Sequence, residues 1–275
     1  MVLEASDTIV SQEVIEQTRE EMGLNDPFLV QYGNWLLGVV QGDMGISYST
    51  KKPVMEKLME GFAGTVLLAL TTIILIMVIS IPLGIFSATH RNKIPDFLVR
   101  IFSFIGVSIP SFWVGLILLY IFGLKLGLVP IATAKVSFSG LILPALTLAI
   151  YQSAKYTRQV RTVILDELHQ DYVIGARARG LSEKAILWKH ILPNAILPLI
   201  TLLGMSIGWL LGGVAVIETV FSWPGIGKMA VQAITMRDYP LIEGIVLWIA
   251  TAYTVINFLV DLSYSYLDPR IKKEN

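Results

Sequence analysis

The run Phe62–Ala88, FAGTVLLALTTIILIMVISIPLGIFSA, decides the fold, because its 27 residues carry no charge. A bilayer core is crossed by about 20 apolar residues, with roughly 17 to 25 tolerated. Backbone polar groups inside lipid must bond within their own segment, so such a run is a helix. Four more charge-free runs follow: Ile101–Leu124 with 24 residues, Val136–Ala154 with 19, Ile191–Ile217 with 27, and Gly244–Val260 with 17. Five such runs in 275 residues predict an all-α polytopic membrane protein, against the alternative of a large soluble core.

Composition agrees. Residues of the AVILMFWYC set make up 54% of the chain, charged residues only 15%, and mean hydropathy is +0.67. A soluble domain carries about 25% charged residues. Lys plus Arg equals Asp plus Glu at 21 each, so nothing favours nucleic acid. There is no Cys, which excludes disulfides and thiolate metal sites. His90, His169 and His190 are scattered. The reading therefore assigns the chain no catalytic residue, no metal and no cofactor of its own.

Charge between the runs sets the orientation. Lys155, Arg158, Arg161, Arg177, Arg179, Lys184 and Lys189 make 151–193 the most basic stretch. With Arg91 and Lys93, and with Arg270, Lys272 and Lys273, it lies on one side if the chain spans five times. The positive-inside rule makes that side cytoplasmic. Residues 1–60 hold four basic and ten acidic groups and fall outside. That head has no apolar export segment of its own, so a further helix upstream is expected.

The spans carry their own punctuation. Pro82 and Gly84, then Gly106, Pro110 and Gly115, then Pro144, mark kinks. Residues 7–22 read as helical, and Phe28–Val40 as a short interfacial helix. Gly204, Gly208 and Gly212 put small residues at i, i+4 and i+8, a face on which helix backbones can pack closely. Glu243 and Asp261 sit at opposite ends of the last run, so both can reach the interfaces. That placement argues against an ion-coupled carrier with a carboxylate at mid-membrane. Gly225-Ile-Gly-Lys228 is not a P-loop, because Ser222 and Met229 stand where Gly and Ser or Thr are needed.

The informative cytoplasmic stretch is 166–193, DELHQDYVIGARARGLSEKAILWKHILP. Two short helices fit it. Asp171 can cap the first, Gly180 can end it, Ser182 can cap the second, and Pro193 and Pro198 mark the return to the membrane. Small Gly175, Ala176 and Ala178 allow another protein to approach. Ile186, Leu187 and Ile191 give the second helix an apolar side. From the residues alone, a docking lever for a soluble motor and an amphipathic loop resting on headgroups fit equally.

This stretch resembles the EAA loop of ABC importer permeases. Gly180 takes the motif's Gly position, and Leu192-Pro193 its Leu-Pro. Ile174, Gly175 and His190 depart from it, but Asp171-Tyr172-Val173 and Ala176-Arg177-Ala178-Arg179-Gly180-Leu181 follow the dipeptide/oligopeptide/nickel permease branch. Arg19–Leu24, Gly42–Gly45, Pro110–Trp113, Glu218–Gly225, Arg237–Pro240 and Leu267–Arg270 are similar to that branch too. The resemblance implies a type I, MetI-like permease fold with five spans present and the family's first span missing. It implies an extracytoplasmic segment at 1–60, a transmembrane domain at 61–267 with its coupling loop at 166–193, and a cytoplasmic tail at 268–275. It further implies import of peptides or nickel complexes through a prokaryotic cytoplasmic membrane by alternating access. The implied partners are a second permease subunit, two ATPase subunits that hold the ATP, and an extracytoplasmic binding protein. The ATPases would dock on Asp171, Tyr172, Ala176–Ser182, Leu192 and Pro193. A secondary transporter and a non-transporting membrane subunit are the alternatives.

Overall fold

A computed structural model describes residues 16–17, 19–20, 23–133 and 135–267, with side chains except at 203, 205–209, 211–213 and 263–267. Most of the helix expected over 7–22, the tail 268–275 and the motif beyond Leu267 lie outside the described residues. So do the surroundings of Gly208 and Gly212.

The described chain is helical and divides into two units. The smaller takes the chain up to Glu60 together with Ala230–Trp248; the larger takes Gly61–Met229 and the chain from Ile249 onward. The elements are α1 (Phe28–Val40), α2 (Val54–Thr89), α3 (Ile94–Ser108), α4 (Ser111–Leu118), α5 (Phe138–Leu168), α6 (Asp171–Ala178), α7 (Glu183–Ile186), α8 (Leu192–Val220), α9 (Ile226–Thr235) and α10 (Tyr239–Leu267). Wide π-helical turns extend α4 through Leu119–Lys125 and join α7 to α8 through Leu187–Ile191.

In the smaller unit α1 buries no residue, and Phe28, Tyr32 and Trp35 stack along its side. The segment after it is held by a buried carboxylate. Asp238 accepts from Ser47 Oγ at 2.6 Å, Ser49 Oγ at 2.7 Å, and the Tyr48 and Ser49 amides at 3.0 Å. Beside this clasp Val54 and Leu58 are fully buried, and a methyl group at Gly244 would come within 2.5 Å of Val54.

The larger unit is built around α5, which buries fifteen residues. One end packs Leu141, Leu143, Ala145 and Leu148 with Leu68 of α2, Leu210, Val214 and Ile217 of α8, and Phe221 and Trp223. The other packs Val160 and Ile164 with Ala88 and with Ala195 and Leu199 of α8. Gly204 meets α10, where an added Cβ would lie 2.6 Å from Val260.

Among the described residues three helices, Val54–Thr89, Glu183–Leu202 and Tyr239–Leu262, are long and apolar enough to cross a membrane. The pair α3 and α4 would make a fourth, bent by 98°. Two corrections to the five-run reading follow. The second run is a broken element, not a kinked span: Pro110 forces Ile109 into extended backbone (φ −94°, ψ 130°) and ends α3. The third run belongs to a 31-residue helix whose second half carries Lys155, Arg158, Arg161, Asp166 and Glu167, so it is less apolar than the other long helices. Its apolar and small residues are buried against protein, while Lys155, Arg158 and Asp166 stay exposed.

Burial pushes the Asp238 carboxyl up, but the hydrogen bonds from Ser47, Ser49 and the Tyr48 and Ser49 amides outweigh it and hold the group below its ordinary value. Its contribution to stability is therefore complete above the ordinary carboxylate value of about 3.9 and is lost as pH falls through the depressed one. Asp238→Asn should destabilise the protein by about 2 kcal/mol at neutral pH. Thermal unfolding in detergent should show the gap to wild type closing below about pH 4; a gap that persists unchanged there counts against the clasp.

Candidate coupling surface and buried carboxylates

The N-cap of helix α6 falls one residue earlier than the sequence reading placed it. Gln170 is the N-cap, without a side-chain bond, and Asp171 is the first helical residue. Asp171 therefore acts through its charge at the positive end of the helix instead of capping it. The other end follows the expectation. Gly180 has φ +80°. Its N–H donates to Arg177 O at 2.9 Å, and the Leu181 N–H reaches back to Ala176 O at 3.2 Å. These two bonds make a Schellman turn, which needs a left-handed residue at this position. No atom lies within 4 Å of a Cβ placed on Gly180, so the requirement is one of backbone and not of space.

Ser182 caps α7, its hydroxyl accepting from the Ala185 N–H at 3.3 Å. Arg177 Nε and Nη2 donate to Glu183 at 2.8 and 3.1 Å, a fork that ties α6 to α7 across the turn. The pair is exposed, so it fixes the angle between the helices more than it adds stability. The second short helix does not stop at Pro193. It runs through the π-helical turn into α8, with Pro193 at the start of the α-helical part. Proline has no N–H to give, and the wide turn before it accommodates the missing bond.

The segment has two faces. Val173 and Ala176 of α6, Ile186 of α7 and Ile191 are fully buried against α5 and α8. This corrects two expectations: Ala176 and the apolar side of the second helix are spent inside the chain and present nothing to a partner. The outward face holds Asp171, Ile174, Gly175, Ala178 and Arg179, followed by Gly180, Leu181 and Ser182. Ile174 is 57% exposed and Leu181 40%. Tyr172 is half-buried and donates to Glu167 Oε2 at 2.5 Å, while Leu192 is half-buried and Pro193 exposed.

Besides Asp238, two more buried carboxylates escaped the sequence reading, which weighed only the acids at the ends of the last run. Glu218, near the end of α8, is fully buried. Its carboxylate accepts from Thr65 Oγ1 at 2.7 Å and from the Lys228 N–H at 2.9 Å, and Thr65 Oγ1 accepts from the Ile226 N–H at 2.9 Å. A Cβ at Gly225 would stand 2.1 Å from the carboxylate. The glycine-containing run that mimics a P-loop thus cradles an internal carboxylate at the start of α9. Trp223 Nε1 donates to Gly64 O at 2.9 Å and locks the same corner. Asp96, also fully buried, takes Arg161 Nε and Nη2 at 2.7 and 2.9 Å, Ser87 Oγ at 2.6 Å and the Asn92 N–H at 3.0 Å. Both acids are held by donors from other parts of the chain, so each braces helices. Among the described residues no three His, Cys, Asp or Glu gather as a metal site.

The sequence profile described as the binding-protein-dependent transport system inner membrane component matches residues 80–273, and the chain belongs to that family. It is therefore the transmembrane permease component of an ABC importer. It is 42% identical to the oligopeptide transport system permease protein AppB of Bacillus subtilis (strain 168), over 97% of this chain and 87% of that one. It is 37% identical to the dipeptide transport system permease protein DppB of Alkalihalophilus pseudofirmus, over 95% and 87%. A chain of the MetNI methionine ABC transporter, in an inward-facing form, superposes with a TM-score of 0.64 at 18% identity, over 78% of this chain and 97% of that one. The fold is the all-α, MetI-like one.

Gly180→Val should leave the protein inserted and folded but shift the angle of α6 against α7, since a β-branched residue at positive φ costs on the order of 1–2 kcal/mol. Transport, or ATP hydrolysis coupled to it, should fall in the assembled complex, and Gly180→Asn should fall less. Equal activity in all three proteins contradicts the role given to the turn. Glu218→Gln puts an amide N–H₂ where a donor already points, and should cost about 1–3 kcal/mol in thermal unfolding; an unaltered melting curve counts against the cradle.

Proposed function

We propose that this permease moves dipeptides or oligopeptides inward across the cytoplasmic membrane of a prokaryote by alternating access, and that 171–193 is where ATPase subunits drive it. The single observation that carries the docking claim is the division of α6 into a buried and an outward face. A helix anchored on one side and offering Ile174 and Ala178 on the other, with Leu181 just past its terminal turn, transmits displacement to the helices behind it. A loop resting on headgroups has no use for such an anchor. The names of the curated relatives favour peptides over nickel complexes as cargo.

The complete assembly pairs this chain with a second permease subunit, two ATPase subunits that bind and hydrolyse ATP, and an extracytoplasmic binding protein. Five spans fit the helices: α2, the bent pair α3 and α4, α5, α7 continued into α8, and α10. That order leaves 1–60 outside, as an extracytoplasmic segment, and puts the loop 166–193 and the tail 268–275 in the cytoplasm. The protein-facing position of α5 supports counting it despite its charges.

Single cysteines test the docking claim cleanly, because the native chain has none. Ala178→Cys and Ser182→Cys should crosslink to an ATPase subunit in an assembled complex that takes up labelled peptide. An active complex that gives no crosslink from either site refutes docking here, and uptake confined to non-peptide cargo refutes the substrate.

A further inference from the structure

A cavity of about 590 Å³ opens between α3 and α5. Arg91, Arg100, Arg158 and Arg161 line it, with Phe97 and Phe104. Helix geometry gathers them: Phe97, Arg100 and Phe104 recur at helical spacing on α3, and Arg158, Arg161 and Leu165 do so on α5. Arg161 is neutralised by Asp96. Among the described residues Arg91 has no carboxylate partner, and its Nη1 donates to His169 Nε2 at 3.3 Å. Among the described residues no carboxylate pairs with Arg100 or Arg158, so the cavity holds a surplus of positive charge. Deeper in the wall, Ser103 is 3% exposed and Thr157 0%, and neither hydroxyl has a hydrogen-bond partner. Buried hydroxyls of this kind ordinarily find one.

We propose that this cavity is a binding site for the headgroup of an anionic phospholipid of the cytoplasmic leaflet. Its chemistry fits an amphiphile from end to end. The arginines supply donors for phosphate oxygens, and guanidinium groups suit that acceptor better than ammonium groups do. The Ser103 and Thr157 hydroxyls meet ester or glycerol oxygens. The exposed rings of Phe97 (61%) and Phe104 (72%), with Ile101 (39%), give the acyl chains an apolar flank along α3. A free phosphate ion would use the arginines but leave that flank bare. Basic pockets between spans on the cytoplasmic side suit such headgroups, and the sidedness rests on the five-span reading above. A lipid seated here would bridge α3 to the helix that carries the coupling segment.

The test uses the whole transporter complex in nanodiscs, with retained lipid read by native mass spectrometry. In discs that mix phosphatidylglycerol with phosphatidylcholine, the unmodified complex should keep phosphatidylglycerol selectively after detergent transfer. The double substitution Arg100→Gln, Arg158→Gln should reduce that retention about tenfold or more at low salt, at about 1 kcal/mol per cation removed. The selectivity of the unmodified complex stands as a test even if the variant assembles poorly. Equal retention of the two lipids, or a variant that assembles and retains lipid as before, overturns the proposal. Displacement of the lipid by inorganic phosphate overturns it in favour of a simple anion site, and displacement by peptide cargo overturns it in favour of a transport path. Peptide uptake in the same discs separates the two readings: uptake that persists without lipid selectivity sinks this inference and leaves the proposed function standing.

Discussion

The larger unit depends on the burial of α5 among its neighbours. In lipid the hydrophobic effect does not drive helices together, so close packing and hydrogen bonds must. Helix α5 supplies both. Ala145, Ala149 and Ser153 fall four residues apart and are buried, which lets neighbouring backbones come close. The Tyr156 hydroxyl donates to Leu202 O across the boundary with α8. Thr147 returns its hydroxyl to Leu143 O at 2.7 Å and so buries without an orphan donor. At the end of the helix near the coupling segment Arg161 reaches Asp96 with two bonds. Removing one partner of such a pair is costly because the other stays buried and charged.

That burial also anchors 171–193, the segment proposed as the coupling surface. Helix α5 ends at Leu168 and α6 begins three residues later. Val173 and Ala176 then pack into the same cluster as Val160 and Ile164. The return path is as firm, since α7 passes into α8 without a break in helical backbone. A displacement applied at Ile174 or Leu181 therefore reaches α5 and α8 through packed side chains and continuous helix. Cores packed like crystals transmit strain instead of absorbing it.

Much of this was legible in the sequence because it rests on local rules. Long uncharged runs give helices in any bilayer protein, Gly180 announces a left-handed turn, and Ser182 announces a cap. Other features depend on partners far along the chain. Ala176 reads as a small exposed residue until Ala195 and Leu199 of α8 fold behind it. Glu218 reads as an ordinary end-of-span acid until Thr65 arrives from 153 residues away. The signal that could have found it was there: Gly225 leaves room for a carboxylate, but the P-loop comparison took its run only as a failed nucleotide motif. Asp238 and Ser47, 191 residues apart, are equally invisible to local patterning. The bend after Ser108 was half legible. Pro110 marked the place, but only the fold shows that the chain breaks there.

The central claim is that α6 moves as one body with α5. Spin labels on Ala178 of α6 and on Thr162 of α5, both at exposed positions, would report the distance between them by pulsed electron resonance. The measurement is made on the assembled complex without nucleotide and with trapped ATP. A single narrow distribution that stays put in both states, while labels on the two permease subunits shift relative to each other, is the result the account predicts. A distribution that broadens or shifts by several ångströms when ATP binds would mean that the segment slides over the spans without driving them, and would contradict it.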